Sequence, residues 1–149
     1  MIDLRPARDE DGDLLWRIHC TSMRPPVEAT WGWDEALQRT YFEASLGEGS
    51  RQIVRVGGAD AGVLSVEARA DHVFLKTIAL LPEFQGRGIG TQVVRRVIDQ
   101  AAGLGLPVRL QVLKANRARG LYERLGFREY AQTPTHVQMV REKGAESAT

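Results

Sequence analysis

Three glycines, Gly86, Gly88 and Gly90, alternate with other residues just before an apolar helical pattern, in the segment LPEFQGRGIGTQVVRRVIDQAA. Glycine inside a helix costs about 1 kcal/mol relative to alanine, so three of them at a helix start indicate that the backbone itself is needed there. Such a turn exposes unpaired amides beside the positive end of the helix dipole. The loop therefore predicts an anion site, and the alternative is a tight strand-to-helix turn that binds nothing.

Two common nucleotide-binding motifs do not fit this loop. A P-loop needs a lysine followed by serine or threonine after its glycines, and neither pair follows here. A dinucleotide-binding fingerprint needs a third glycine where Thr91 stands, together with an early strand–helix–strand unit. The loop lies past the middle of the chain, after several predicted strands, so both interpretations are weakened.

The remaining sequence predicts one α/β domain, of the α+β kind, around a single sheet. Strand patterns occupy residues 2–7, 51–56, 61–69, 72–80, 108–113, 127–132 and 135–141. Helical patterns occupy residues 9–23, 34–46, 89–102 and 116–125, with Asn116 as the candidate N-cap of the last. Pro25 and Pro26 are expected to end the first helix. In the third helix we expect a buried stripe of Val93, Val94, Val97, Ile98, Ala101 and Ala102.

Composition excludes several classes of function. The 149 residues suffice for one domain, which we place at 1–141, followed by a flexible polar tail at 142–149. A formal net charge of +1 gives no reason to expect a nucleic-acid partner, and no apolar run reaches the roughly 18 residues of a membrane span. Because Cys20 is the only cysteine and the polar N-terminus does not look like a signal peptide, we expect a cytoplasmic protein.

Two sequence blocks carry a family resemblance. QGRGIG, Gln85 to Gly90, resembles the coenzyme A pyrophosphate loop of the GNAT superfamily of acetyl-coenzyme A-dependent N-acetyltransferases, and it follows the IAL pattern of Ile78 to Leu80 and Pro82. VLKANRARGLYERLGF, Val112 to Phe127, is similar to that family's strand–helix–strand element with its asparagine and tyrosine. The blocks occur in the family's order, so the resemblance covers roughly residues 73–130.

The resemblance implies a fold and a cofactor site. It implies a central mixed, mostly antiparallel sheet of about six to seven strands, with helices on both faces and two neighbouring strands that separate to hold acetyl-coenzyme A. It implies no metal. The cofactor-binding residues that it implies are Ile78, Ala79, Leu80, Gln85, Gly86, Arg87, Gly88, Ile89, Gly90, Thr91 and Asn116.

The resemblance also implies how the acetyl group is transferred. A backbone amide of Ile78 to Leu80 would polarise the thioester carbonyl. Tyr122 would be the general acid that protonates the leaving thiolate, and the alternative is that its ring only packs against the sheet. Gln111 stands where some members of the family carry a glutamate that acts as the general base, and a glutamine cannot accept a proton at neutral pH. The candidates for the general base are therefore a water molecule and the residues Glu28, Asp34, Glu35, Glu67 and His136.

The segment RPPVEATWGWDEAL combines indoles with carboxylates. In the implied fold this segment lies between the first two helices, where the family shapes its acceptor site. Aromatic rings beside acids suit an ammonium-bearing acceptor, so Trp31, Trp33, Asp34 and Glu35 are candidate acceptor residues. The alternative is that both indoles pack into the core or cover the edge of the sheet.

The function expected from these features is transfer of an acetyl group from acetyl-coenzyme A to an amine of a small molecule or of a peptide or protein, by direct attack in a ternary complex. One alternative is a non-catalytic coenzyme A-binding module of the same fold. Another is a different anion-binding α/β domain, such as a nucleotide binder. The sequence leaves open the acceptor, the acyl-chain preference and whether the chain forms a homodimer.

Overall fold

The computed structural model describes residues 1–46 and 50–144. Within them the chain forms β1 (Ile2–Pro6), α1 (Gly12–Trp31), α2 (Glu35–Ser45), β2 (Arg51–Val56), β3 (Ala59–Ala68), β4 (Val73–Leu80), α3 (Ile89–Gly103), β5 (Val108–Leu113), α4 (Arg119–Arg124), β6 (Arg128–Gln132) and β7 (His136–Arg141). Most of the tail predicted at 142–149 lies outside the described residues. None of the described helices is long and apolar enough to cross a membrane.

The strands form one sheet in the order β1-β2-β3-β4-β5-β7-β6, and every neighbouring pair is antiparallel except β4 and β5. Side chains alternate between the faces of a strand. Ile53 and Val63 therefore pack with α1 and α2 on one face, while Val54 and Leu64 pack with α3 on the other. The predicted mostly antiparallel sheet with helices on both faces is confirmed.

The apolar stripe of α3 lies as predicted with one exception. Val93, Val94, Val97, Ile98 and Ala101 are buried in the core on that face of the sheet. Ala102 is exposed, so its predicted burial is wrong. At about 100° per residue it lies at the margin of the stripe, next to the end of the helix.

The first helix continues through Pro25 and Pro26 to Trp31, so the prediction that these prolines end it is wrong. A helical proline removes a backbone N–H donor and disfavours the helix. Here Pro26 and Val27 are buried, and the Thr30 hydroxyl donates to the Pro26 carbonyl at 2.7 Å. Burial of Pro26 and Val27 outweighs the local penalty, and Trp31 is the last helical residue.

The last helix is shorter than predicted. It begins at Arg119, and the Asn116 side chain accepts a hydrogen bond from the Ala118 backbone N–H at 2.9 Å. A side chain that bonds two residues ahead organises a turn and not a helix N-cap. Asn116 therefore fixes the connection between β5 and α4.

Strands β4 and β5 pair only over residues 73–75 and 108–110. At the same level Ser65 pairs with Thr77 and Val66 with Leu75, so Lys76 is an extra residue in β4. An extra residue of this kind is a β-bulge, which bends its strand. Beyond Lys76 the two central strands are no longer paired with each other, which is the strand separation that the resemblance implies.

Candidate active site

A cleft with a volume of about 1010 Å³ opens where β4 and β5 separate. Its walls come from the ends of these two strands, from α1, α2 and α4, and from the start of β7. It brings together residues that the sequence assigned to separate roles. The predicted residues that line it are Trp31, Trp33, Asp34, Ile78, Ala79, Asn116, Tyr122 and His136.

The backbone of β4 is turned towards the gap at alternate residues. The Leu81 N–H donates to the Ala61 carbonyl on the β3 side at 2.8 Å, so the Leu80 carbonyl points the other way. It accepts instead from the Gln85 side chain at 2.9 Å. Because backbone groups alternate along a strand, the N–H and C=O of Ile78 also face the gap, whereas those of Ala79 face β3. Ile78 can thus offer its N–H and C=O to an extended ligand, and Leu80 can offer its N–H.

The glycine loop has the conformation that its sequence requires. Gly86 and Gly88 have φ angles of 71° and 77°, in the left-handed region that favours glycine. The first backbone bond of α3 runs from Gln92 N–H to the Gly88 carbonyl at 3.2 Å. The amides of Ile89, Gly90 and Thr91 therefore lie in the first turn, where a helix offers no partner for them.

Open space surrounds the outer part of this loop. A Cβ placed on Gly86 or Gly88 would meet no protein atom within 4 Å, whereas at Gly90 it would lie 3.7 Å from the Leu121 side chain. The positive φ angles of Gly86 and Gly88 favour glycine at these positions, whereas no neighbouring protein atom would clash with a side chain there. The open space lies at the positive end of α3, where a helix start favours an anion.

The loop side chains are engaged with the protein. Besides the Gln85 contact to β4, the Arg87 guanidinium donates to the Glu83 carbonyl at 3.3 Å and lies 5.4 Å from the centre of the Phe84 ring. Residues 85–88 are exposed, and the loop adjoins the cleft through the end of β4 without lining it. Arg87 stays on the surface, where it can add positive charge near the helix start.

Tyr122 lies in α4 with only 7% of its surface exposed, and its ring meets Phe127 edge-on at 5.8 Å. Burial raises the pKa of Tyr122 to about 12, so the phenol keeps its proton at neutral pH. It packs against the core, as the alternative expected, and it also lines the cleft as a potential hydrogen-bond donor. Asn116 lines the same cleft, with its side-chain oxygen committed to the turn before α4.

Neither indole of the acceptor segment is buried in the core. Trp31 is 62% exposed, and Trp33 is half-buried. Asp34 caps α2 by accepting from the Leu37 N–H at 3.0 Å, and Glu35 does not line the cleft. The Arg24 guanidinium already lies 5.6 Å from the centre of the Trp33 ring, so the protein supplies its own cation to this indole.

Three of the carboxylates considered as bases lie away from the cleft. Glu28 pairs with Arg24 at 3.1 Å, Glu67 pairs with Arg69 at 3.2 Å, and neither they nor Glu35 line it. Asp34 and His136 do line it. The described residues contain no cluster of histidine, cysteine and carboxylate side chains that could hold a metal ion.

Sequence reasoning missed His19, Lys76 and Thr77, which also line the cleft. His19 Nε2 lies 3.1 Å from the Gln38 side-chain oxygen, and its imidazole packs between aromatic rings of α1, α2 and their connection. A signal for it existed, since His19 follows Leu15 by one helical turn on the face predicted to be apolar. The bulge at Lys76 had no such local signal.

Known proteins resemble this chain in sequence and in fold. Residues 13–127 match the Acetyltransferase (GNAT) family. The fold is similar to that of the PaiA N-acetyltransferase from Thermoplasma acidophilum in complex with coenzyme A, with a TM-score of 0.77 and 16% identity over 95% of this chain and 99% of that one.

Two curated relatives match a shorter stretch. The chain is 40% identical over 60 residues to a [ribosomal protein bS18]-alanine N-acetyltransferase of Haemophilus influenzae, and 34% identical over 64 residues to a thialysine N-epsilon-acetyltransferase of Mus musculus. These stretches are 40% and 42% of this chain. The match spans only 41% and 38% of the length of these relatives.

Proposed function

Because this chain belongs to the acetyltransferase (GNAT) family, we propose that it transfers the acetyl group of acetyl-coenzyme A to an amine of a small molecule, peptide or protein, by direct attack with both substrates bound. One observation carries the proposal. The buried phenol of Tyr122 and the gap-facing backbone of β4 belong to the same cleft, beside a helix start with open space above its amides.

The residues fit coenzyme A along its length. The amides of Gly86 to Thr91, at the start of α3, would bind the pyrophosphate, with Arg87 adding charge. The gap-facing backbone of Ile78 and Leu80 would bind the pantetheine arm as an added strand would. Asn116 would contact the cofactor from the far side of the gap.

Acetyl-coenzyme A supplies the activated acyl group, and the protein has to orient and polarise it. An amide of the β4 segment from Ile78 to Leu80 would donate to the carbonyl oxygen as charge develops there. Tyr122 would donate its proton to the leaving sulfur. Its raised pKa keeps the hydroxyl protonated until that moment.

The acceptor would enter on the α1–α2 side of the sheet, where Trp31, Trp33 and Asp34 line the cleft. The names of the two curated relatives specify amine acceptors, an alanine of a ribosomal protein in one case and thialysine in the other. We extend only the amine class to this chain. Trp31 is the better candidate for contact with the acceptor, because Arg24 already occupies a position over Trp33.

A specific observation favours the non-catalytic alternative. Asp34 supplies the only carboxylate that lines the cleft within residues 1–46 and 50–144, and it is engaged as the cap of α2. A coenzyme A-binding module would need no base. Binding and turnover therefore have to be measured separately.

The test pairs a thermal-shift assay with a turnover assay. Acetyl-coenzyme A should raise the melting temperature where ATP and NAD do not, because a ligand that binds the native state stabilises it. Release of free thiol should then accelerate with members of an amine panel, and mass spectrometry should show the acetylated amine. Stabilisation without turnover on any amine would favour the binding module, and stabilisation by ATP or NAD alone would contradict both.

A further inference from the structure

We propose that His136 is the base that takes the proton of the acceptor ammonium. This assignment rests on the acetyltransferase function proposed above. It gives the cleft the proton acceptor that its carboxylates do not supply. An alkylamine is protonated at neutral pH and has no lone pair for attack until such a group removes its proton.

The position of His136 follows from sheet register. It is the first residue of β7 and pairs with Leu113, the last residue of β5, so their Cα atoms are neighbours at about 4.5–5.5 Å. Val112 and Val137 pack in the core on the α3 side. By alternation, Leu113 and His136 lie on the other face, from which the acceptor is proposed to enter. His136 thus stands one strand away from the gap between β4 and β5.

One ring nitrogen of His136 has a hydrogen-bonding partner within the protein. His136 Nδ1 lies 2.8 Å from the Thr135 hydroxyl oxygen, which can accept a bond from Nδ1–H in both the neutral and the protonated ring. Within the part of the chain that the structure describes, no other group bonds the imidazole, so Nε2 is left for a ligand in the cleft. The Thr133 hydroxyl oxygen accepts from the His136 backbone N–H at 2.9 Å and holds the connection before β7 in place.

Trp31 joins His136 to the acceptor side of the cleft. The centres of the two rings are 6.1 Å apart, across the space between the end of α1 and the start of β7. An aromatic ring beside a cation is a favourable contact, so this indole suits an imidazole that becomes charged. The exposed indole and the half-buried imidazole together border the entrance where an amine would arrive.

The other groups near this position do not compete as bases. His136 forms no ion pair with any residue within 1–46 and 50–144, and the elements packed against it present Trp31 from α1 and Leu113 from β5. Lys114 follows β5 and donates its backbone N–H to the Thr135 carbonyl at 2.9 Å. His19 lines the same cleft, but its Nε2 lies 3.1 Å from the Gln38 side-chain oxygen and its ring packs among Trp16, Trp33 and Phe42.

Atoms and charge are conserved in the proposed step. Nε2 of His136 takes one proton from the ammonium and later releases it to solvent. The nitrogen of the neutral acceptor amine then forms a bond to the acyl carbon, and the carbon–sulfur bond of the thioester breaks. The leaving sulfur takes the hydroxyl proton of Tyr122. The acceptor nitrogen then loses a second proton, which restores the phenol. The net products are the acetylated amine, the free thiol and one proton in solvent.

The test compares His136→Gln with two matched variants, His19→Gln inside the cleft and His72→Gln outside it. His72 is a buried control, with its Nδ1 2.7 Å from Asp71. We expect His136→Gln to lower kcat/KM for an alkylamine acceptor roughly 100- to 10,000-fold near neutral pH. The loss should shrink as the pH approaches the amine pKa, and it should be small for an analogue with a less basic amine. A purely structural role would lower kcat/KM for both acceptors alike.

A second readout does not depend on turnover. Adding the acceptor without acetyl-coenzyme A should shift the ring signals of His136 in ¹H–¹³C spectra and leave those of His72 in place. Wild-type activity in His136→Gln, or an equal loss for both acceptors, would overturn the assignment, as would a loss confined to His19→Gln. A wild-type protein that acetylates no amine would overturn the proposed function first, and this assignment with it.

Discussion

At Gly62 the packing of β3 against β4 leaves no room for a Cβ, and replacing this glycine with alanine should disturb the strand that is proposed to hold the cofactor. Gly62 pairs with Leu80 in the sheet. A Cβ at this position would lie 2.8 Å from the Leu80 side chain and 3.1 Å from the Leu80 Cα, and it would come closer still to the Ala79 carbonyl oxygen. Since two of these neighbours are backbone atoms, β4 itself has to move.

The expected size of the effect follows from these contacts. Overpacking a well-packed site costs about 1–3 kcal/mol, which for a domain of this size lowers the melting temperature by roughly 2–12 °C. The displaced residues, Ala79 and Leu80, belong to the segment proposed to bind the pantetheine arm. Coenzyme A affinity measured on the folded protein should therefore fall about tenfold or more, equivalent to about 1.4 kcal/mol.

Calorimetry for binding and a thermal melt for stability measure both effects. Gly103→Ala is the matched control, because Gly103 ends α3 without a positive φ and a Cβ added there would meet no atom within 4 Å. It should leave binding unchanged and raise stability by about 0.4–1 kcal/mol. A Gly62→Ala protein that melts and binds coenzyme A as the wild type does would refute the close approach as a constraint on the site.

Two further substitutions address the loop and the acid. Gly88→Asn introduces a residue that tolerates the left-handed conformation, but its side chain fills the open space above the loop. Calorimetry should therefore show weaker coenzyme A binding, with little change in melting temperature. Unchanged affinity would contradict the pyrophosphate site. Tyr122→Phe removes only the hydroxyl, so kcat should fall roughly 10- to 1000-fold while cofactor affinity stays nearly unchanged. If kcat is unchanged under conditions where chemistry limits the rate, Tyr122 is not the general acid.

Local sequence rules predicted the parts of the fold that are determined locally. Gly57 and Gly58, which join β2 to β3, have the positive φ angles that a two-residue hairpin turn requires, and the stripe from Val93 to Ala101 is buried on α3. The glycine loop is followed by a helix start as expected. The family resemblance, which is not a local rule, named Ile78, Asn116 and Tyr122 as site residues, and all three line one cleft although they are far apart in sequence.

Features that depend on packing between distant segments were not predictable in this way. The helix continues through Pro25 and Pro26 while Pro26 and Val27 are buried against the rest of the protein, and burial is a property of the assembled fold. The bulge at Lys76 is a mismatch of register between β3 and β4, which neither strand shows alone. His136 comes beside the cleft because β7 pairs with β5, although α4 and β6 intervene in sequence.

The most direct test of the central claim is a crystal structure of the chain with coenzyme A bound. We expect pyrophosphate oxygens within hydrogen-bonding distance of the amides between Gly86 and Thr91, the pantetheine arm along Ile78 and Leu80, and the sulfur within about 3–4 Å of the Tyr122 hydroxyl oxygen. A cofactor bound elsewhere, or one whose sulfur lies on the far side of the sheet from Tyr122, would contradict the proposed site.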